Sequence, residues 1–238
     1  PYAYSYNVEN SIKDIINGKA KYTDKKVSIA GRIISLRKMG KTSFLNVQDM
    51  YDNIQIYIKN DNLSDLQYDN IVRKLDLGDV VGIKGTMFFT KTKELSVKAN
   101  DITILSKNIR PLPNMKEKDG KTFFSFDDKE HRYRKRHLDL IINNQNKLIF
   151  IERFKIINEL RLFLNNNNYI EVETPVLQPV YGGANAKPFT THHNTLDQKL
   201  YLRIADELYL KRLIIGGFNK VYEISKNFRN EGMDRNHN

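Results

Sequence analysis

Arg229 and Glu231 stand two apart in the run Phe228-Arg229-Asn230-Glu231. In an extended strand that spacing puts both side chains on one face, and Glu223 shares their parity. A guanidinium forks onto phosphate oxygens and stabilises negative charge that grows during phosphoryl or nucleotidyl transfer. A neighbouring carboxylate accepts from the amino group of a base or of an amine substrate. A plain surface ion pair explains the same spacing, so the pair acquires meaning only from its surroundings. A second set lies far upstream. In residues 43–49, Leu45 and Val47 share one face of a strand, while Phe44, Asn46 and Gln48 share the other. In residues 53–59, Ile54, Ile56 and Ile58 point one way, and Gln55 and Tyr57 the other. Phe44 is then a ring on the wet side, near an amide. A ring stacks on a base for about 1–3 kcal/mol, and an amide reads its edge. Arg37, at the end of the preceding strand, reaches a phosphate or a base edge. The competing reading covers Phe44 with another part of the chain, either the 111–137 segment or an N-terminal helix.

Other chemistries are excluded by residue type. The chain has no Cys, so it has no disulfide scaffold, thiol nucleophile or thiolate metal site. His192 and His193 are adjacent, too close for two ligands on one helical face, and no cluster completes a metal site around them. Ordinary hydrogen bonds are expected of both. Gly182-Gly183 reads as a flexible loop. No P-loop, dinucleotide fingerprint or His-Glu-His zinc pattern occurs.

The elements that must position these residues differ between the halves. Residues 27–36, 43–49, 53–59, 80–89 and 94–105 are short, β-branched runs separated by turn material. A helix-like stretch, 63–75, lies between the third and fourth, with Leu66, Ile71 and Leu75 on its inner face, and Gly78-Asp79 stops it. Five strands with a helix in that place is the order of an OB-fold, a small barrel that binds oligonucleotides. Residues 7–17 are predicted as a preceding helix. Pro111-Leu112-Pro113 cannot continue a strand interior, and core-forming residues return only at Phe123, Phe124 and Phe126. Residues 111–137 are therefore read as a linker. Its end, Arg132-Tyr133-Arg134-Lys135-Arg136-His137, is a solvated helix face, a contact with a nucleic-acid backbone or a packing element between domains. Beyond it the period changes. Phe150, Phe154, Ile157, Leu160 and Leu164 form one helical stripe, and Ile149, Ile156 and Phe163 widen it. A helix apolar over so wide an arc is buried on two sides, which a second subunit would satisfy. The Asn run 165–168 ends it. Residues 169–174 alternate as a strand cut by Pro175. A helix capped by Asp206 runs to Gly216-Gly217, and 221–229 is the next strand.

The chain has 238 residues and a net charge of +11, with 40% apolar residues. Residues 1–110 carry 18 basic and 12 acidic groups, residues 111–238 carry 21 and 16, so both halves are basic. An anionic partner such as nucleic acid fits, and so does a Lys-rich solubilising surface. No apolar run reaches the roughly 18 residues of a membrane span, and no signal peptide is recognised. A soluble cytoplasmic protein is expected.

The chain strongly resembles the class II lysyl-tRNA synthetases. The resemblance rests on Ile109-Arg110-Pro111-Leu112-Pro113, Arg132-Tyr133-Arg134, Leu138-Asp139-Leu140, Glu171-Val172-Glu173-Thr174-Pro175 and Gly182-Gly183-Ala184. It continues through Pro188-Phe189, Thr191-His192-His193-Asn194, Tyr201-Leu202-Arg203-Ile204-Ala205, Glu207-Leu208-Tyr209-Leu210-Lys211-Arg212 and Phe228-Arg229-Asn230-Glu231-Gly232. Aspartyl- and asparaginyl-tRNA synthetases share the architecture, but the Gly-Gly-Ala and Thr-His-His-Asn stretches look lysyl-specific. The resemblance implies an α+β fold. A five-stranded OB-fold anticodon-binding domain spans 1–110, a linker 111–137, and the first part of an antiparallel-sheet catalytic domain 138–238. It implies that the long helix and the strand ending at Pro175 are the first family motif, which builds a homodimer. It also implies site residues. Arg229 would hold the α-phosphate of ATP and the lysine carboxylate, and Glu231 would lie near the adenine amino group. His237 and Asn238 would contact ATP, and Gly183 and Glu207 the α-amino group of lysine. Arg37, Phe44 and Gln55 would read the anticodon, with Leu36 standing where some relatives carry a second Arg.

The implied activity is ATP-dependent formation of lysyl-adenylate and transfer of lysine to tRNA(Lys), with Mg²⁺ as the metal and no metal ligand in this segment. The sequence stops at Asn238, inside the second motif. The segment alone is therefore expected to be inactive in catalysis, as one piece of a longer enzyme. A non-enzymatic tRNA-binding module of the same family is the alternative, and an aspartyl-type enzyme is a third.

Overall fold

The computed structural model describes residues 3–63, 65–113, 115–118, 121–124, 126 and 128–234. It divides into two compact units, Pro1–Leu148 and Ile149–Asn238. In the first, α1 (Ile12–Asn17) and α2 (Lys19–Tyr22) precede β1 (Lys26–Met39), β2 (Thr42–Gln48) and β3 (Asn53–Lys59). After α3 (Asp65–Asn70) and a 3₁₀ turn (Val72–Lys74) come β4 (Val80–Phe89) and β5 (Leu95–Ser106). The five strands close into a barrel in the order β1-β2-β3-β5-β4, with β3 and β5 parallel and every other pair antiparallel. This is the OB-fold that the strand order predicted. Its inside is apolar: Ile29, Ile33, Leu45, Val47, Ile56, Ile58, Val81, Ile83, Met87 and Val97 are at most 1% exposed. Alternation along β2 and β3 sends Phe44, Gln55 and Tyr57 to the outer face.

Two helical expectations change. Residues 7–10 are not helical: the Glu9 and Asn10 amides donate to Ser28 O, and Asn10 Oδ1 accepts from the Ser28 amide. They dock on β1 instead, and α1 begins only where Ser11 Oγ caps the Asp14 amide. Ile12 and Ile15 of α1 then complete the barrel core. The 63–75 stretch splits between α3 and the 3₁₀ turn. Ile71 is half-buried and Leu75 buried, while the Leu66 side chain lies outside the described residues.

Closure forces strands together at glycines. A Cβ on Gly31 would sit 2.4 Å from Gln48 O, and one on Gly85 2.3 Å from Lys98 O. The register shifts between Ile33 and Ser35 and again between Lys84 and Gly85, bulges that bend the long strands around the barrel.

The first unit continues with a hairpin of β6 (Met115–Lys118) and β7 (Lys121–Phe124), then α4 (Lys129–Arg134), α5 (Arg136–Ile142) and the start of α6 (Gln145–Asn166). The side chains of Phe123 and Phe124 lie outside the described residues. The basic run at 132–137 is engaged within the chain. Arg132 Nε donates to Asp139 Oδ1 at 2.8 Å and Arg136 Nη1 to Asp139 Oδ2 at 2.6 Å. Asn143 and Asn146 also donate to this buried carboxylate. Arg134 pairs with Glu130, and Arg136 lies over the Tyr133 ring. Arg132 and Arg136 are thus paired with Asp139 within the first unit. Burial pushes the Asp139 carboxyl up, but hydrogen bonds from Asn143, Arg132, Arg136 and Asn146 together pull it down to about 2.

In the second unit the rest of α6 precedes β8 (Ile170–Glu171), β9 (Leu177–Gln178), β10 (Thr190–His193), β11 (Gln198–Leu202), α7 (Glu207–Ile215) and β12 (Val221–Tyr222). The order β10-β11-β9 makes an antiparallel sheet, and β8 pairs with β12 in parallel. The strands expected over 169–174 and 221–229 are thus two residues each. Past Tyr222 the backbone bonds elsewhere: the Phe228 amide donates to Arg203 O and the Asn230 amide to Lys187 O. Asp206 stands at the N-cap of α7 without capping it, since its Oδ2 accepts from Ser225 Oγ. No residue of α6 is buried; Phe154 is 66% and Phe163 64% exposed. The burial on two sides expected from the wide stripe is not met among the described residues. No helix among the described residues is long and apolar enough to cross a membrane.

Two outcomes follow for stability. Gly31→Ala and Gly85→Ala should each destabilise the barrel by about 1–3 kcal/mol, because the new methyl meets backbone rather than a movable side chain; urea unfolding reads this. Asp139, depressed to about 2 in the fold against about 3.9 unfolded, contributes stability above pH 4 that disappears as pH falls through 2. The contribution is on the order of 2 kcal/mol. Asp139→Asn should lower the urea midpoint at pH 7 and flatten its fall between pH 5 and 2.

Candidate functional site

The barrel's outer face carries a cleft of about 1210 Å³ whose lining includes Arg37, Phe44, Gln55, Tyr57, Phe88 and Lys98. The three residues singled out from sequence come together in it. In the strand registers Arg37 faces Phe44, Phe44 faces Tyr57, and Gln55 faces Ser96. The Phe44 and Tyr57 rings are 5.3 Å apart at 53°. Gln55 Nε2 donates to Glu94 Oε2, which fixes the direction of the amide. All the described lining residues come from barrel strands and the β4–β5 turn; among the described residues, none of the 111–137 segment or of α1 lines the cleft around Phe44. Single-strand reasoning missed Phe88, Glu94 and Lys98. Alternation about the buried Met87 would have found Phe88, but pairing Lys98 with Tyr57 requires the parallel β3–β5 contact.

In the second unit Gly183 adopts φ +84°, and a Cβ there would lie 3.1 Å from Glu207 Cβ. The two positions matched to the lysine α-amino group are therefore neighbours. Glu207 is paired with Lys211 one turn along α7. The Tyr181 and Tyr201 rings pack 4.9 Å apart. Arg229 and Glu231 are both exposed. His237 and Asn238 lie outside the described residues.

Glu223 does not join Arg229 and Glu231 as the parity argument expected. It turns inward, where Oε1 accepts from Arg203 Nη1 at 2.6 Å and Oε2 from Thr174 Oγ1 at 2.7 Å. Arg203 Nη1 also donates to Thr174 O, and Nε to Lys226 O. Arg203 and Glu223 side chains are each 5% exposed. This network ties the segment leading to Arg229 onto β11 and Thr174. Sequence reasoning missed Arg203, because its partners lie 20 and 29 residues away. His192 and His193 make ordinary hydrogen bonds, to Asn194 and from the Leu196 amide. Among the described residues no group of three or more His, Asp or Glu is placed to hold a metal.

Residues 27–105 match the OB-fold nucleic acid binding domain, and residues 128–238 match the class II tRNA synthetases (D, K and N). The chain thus joins a segment matching an OB-fold nucleic acid binding domain to one matching a class II tRNA synthetase domain. Its similar proteins are lysine–tRNA ligases. That of Porphyromonas gingivalis is 53% identical over 98% of this chain and 41% of its own length. That of Azobacteroides pseudotrichonymphae is 56% identical over 89% of this chain and 43% of its own length. The chain spans less than half the length of these curated relatives.

Breaking a buried ion pair strands the surviving charge, at a cost of about 3–5 kcal/mol. Glu223→Ala should lower stability by that amount, whereas Thr174→Val should cost about 1–2 kcal/mol; thermal or urea unfolding distinguishes the two.

Proposed function

We propose that this chain is the N-terminal part of a cytoplasmic lysine–tRNA ligase, with residues 1–110 reading the anticodon of tRNA(Lys), 111–137 linking, and 138–238 opening the catalytic domain. The observation that carries the proposal is the meeting of Arg37, Phe44 and Gln55 in one cleft of an OB-fold, within a chain 53–56% identical to lysine–tRNA ligases. Phe44 stacks on an unpaired base, Gln55 reads its edge, and Arg37 takes a phosphate or a base edge.

In the catalytic part, lysine and ATP react in two steps. The lysine carboxylate attacks the α-phosphate in line and pyrophosphate leaves; the terminal ribose hydroxyl of the tRNA then attacks the carbonyl carbon of the lysyl-adenylate, forming the ester as AMP leaves. No protein nucleophile is required, so positioning and charge neutralisation carry the rate. Arg229 bridges the α-phosphate and the lysine carboxylate, and Glu231 accepts from the adenine amino group. His237 and Asn238 add ATP contacts. Gly183 and Glu207 hold the α-ammonium: the missing side chain at Gly183 leaves the Glu207 carboxylate open on that side. Mg²⁺ would shield the phosphates; ligands for it are not among the described residues. The apolar stripe of α6 supports a homodimer through α6 and β8.

The test uses the full-length protein. Phe44→Ala and Gln55→Ala should lower charging of tRNA(Lys) by about 5- to 100-fold, the equivalent of one stacked base. Lysine-dependent exchange of pyrophosphate into ATP should be unchanged in both. Arg229→Ala should abolish that exchange and leave tRNA affinity nearly intact. Equal loss of charging and exchange in the Phe44 and Gln55 variants would overturn the anticodon assignment, and exchange with aspartate in place of lysine would overturn the amino acid.

A further inference from the structure

The cleft contains more aromatic surface than one base uses. Three half-buried rings run across its floor from different strands: Phe44 on β2, Tyr57 on β3 and Phe88 on β4. Tyr57 and Phe88 meet at 5.7 Å and 62° although β5 lies between their strands. They can do so because β5 places Ser96, small and fully buried, opposite Phe88. Neither ring contact is a parallel stack: the rings meet tilted or edge to face. Phe88 and Lys98 also line a second cleft of about 440 Å³ on the same barrel. Phe88 therefore stands as a ridge between two cavities. The larger cavity exceeds the roughly 300–1,000 Å³ usual for one small ligand. Cations flank the row: Arg37 faces Phe44, and Lys98 faces Tyr57. The hydrogen-bonded turn before β5, with Thr90 Oγ1 accepting from the Glu94 amide, walls the same side.

We propose that Phe88 is a second stacking platform, holding an unpaired base of the tRNA other than the base on Phe44. This rests on the reading of the barrel as the anticodon-binding surface. It makes the bound loop span at least two splayed bases, with the Tyr57 ring between them and Lys98 near the connecting phosphate. A ring that served only to join strands would contribute to barrel stability and nothing to RNA affinity.

The experiment pairs protein variants with RNA lacking single bases. The RNA is a hairpin bearing the tRNA(Lys) anticodon loop, intact or abasic at one loop position at a time, and binding to the full-length protein is measured at fixed salt. Phe88→Leu keeps the apolar bulk and removes the π face. It should weaken the intact hairpin by about 5- to 100-fold. One abasic position should cancel that loss, and a different one should cancel the loss caused by Phe44→Leu. If the same abasic position cancels both, or if Phe44→Leu weakens binding and Phe88→Leu does not, the second platform is overturned while the anticodon reading stands. If neither variant weakens binding, both readings fall. Should Phe88→Leu not fold, 4-thiouridine at successive loop positions of the hairpin is photocrosslinked to the unaltered protein. Crosslinks to Phe88 and Phe44 from different positions support the proposal, and their absence at Phe88 overturns it.

Discussion

A sheet closed on itself has an interior that only apolar side chains can fill, and the period of a strand leaves no freedom about what happens on the other side. Once Leu45, Val47, Ile54, Ile56 and Ile58 are committed to the inside, Phe44, Gln55 and Tyr57 must face out. A one-residue slip of either strand would exchange the two sets and bury an amide at the barrel centre. Gly31 and Gly85 serve the same constraint, since closure brings neighbouring backbone to where their side chains would begin. The cleft is thus a consequence of the core. Its residues are held by strands whose other faces line the apolar core of the barrel.

The second unit is organised by polar contacts. Ile204 and Tyr222 are its buried apolar residues, whereas Arg203, Thr174 and Gln178 are buried polar ones. The Arg203–Glu223–Thr174 network has the role that packing has in the barrel: it fixes β11, the 172–176 segment and the approach to Arg229 in one arrangement. Buried charge is a costly fastening and is tolerated when every partner is satisfied. Much of the unit's apolar surface, including the α6 stripe, remains outside.

What could be read from sequence divides along the same line. The barrel's strands, their order and the outward residues were legible because period-two alternation is local and strong in β2 and β3. The 7–10 segment was misread as helix because its alternative partner, Ser28, is distant in sequence. The short β8 and β12 were overestimated for a related reason. Alternation persists in residues 221–229, but the pairing capacity of that backbone goes to Arg203 and Lys187. Glu223 shows the limit most clearly. Its parity with Arg229 is real, yet a guanidinium 20 residues upstream decides where it points. Gly183 and Glu207 carried no local signal, and only the resemblance singled them out. The structure places them side by side across a left-handed glycine.

Net charge was the least informative property. Both halves are basic, and charge alone offered no way to separate RNA-facing cations from structural ones. The structure shows some of them in ion pairs. Arg132 and Arg136 lie on the buried Asp139, and Arg134 lies on Glu130. Lys107 is likewise drawn onto Asp76 and Asp79. Arg37 and Lys98 line the cleft beside the ring row. Spread over the surface, positive charge raises the rate and strength of encounter with any polyanion, without regard to its sequence. Selectivity has to come from groups that meet bases, and phosphate contacts only set the register in which they meet. The face of this barrel combines the two at strand spacing. A cation stands opposite Phe44 and another opposite Tyr57, and an oriented amide lies beside the rings. An RNA strand drawn along that face by its phosphates would carry its bases onto the rings, and the same geometry offers little to a paired helix whose bases remain stacked.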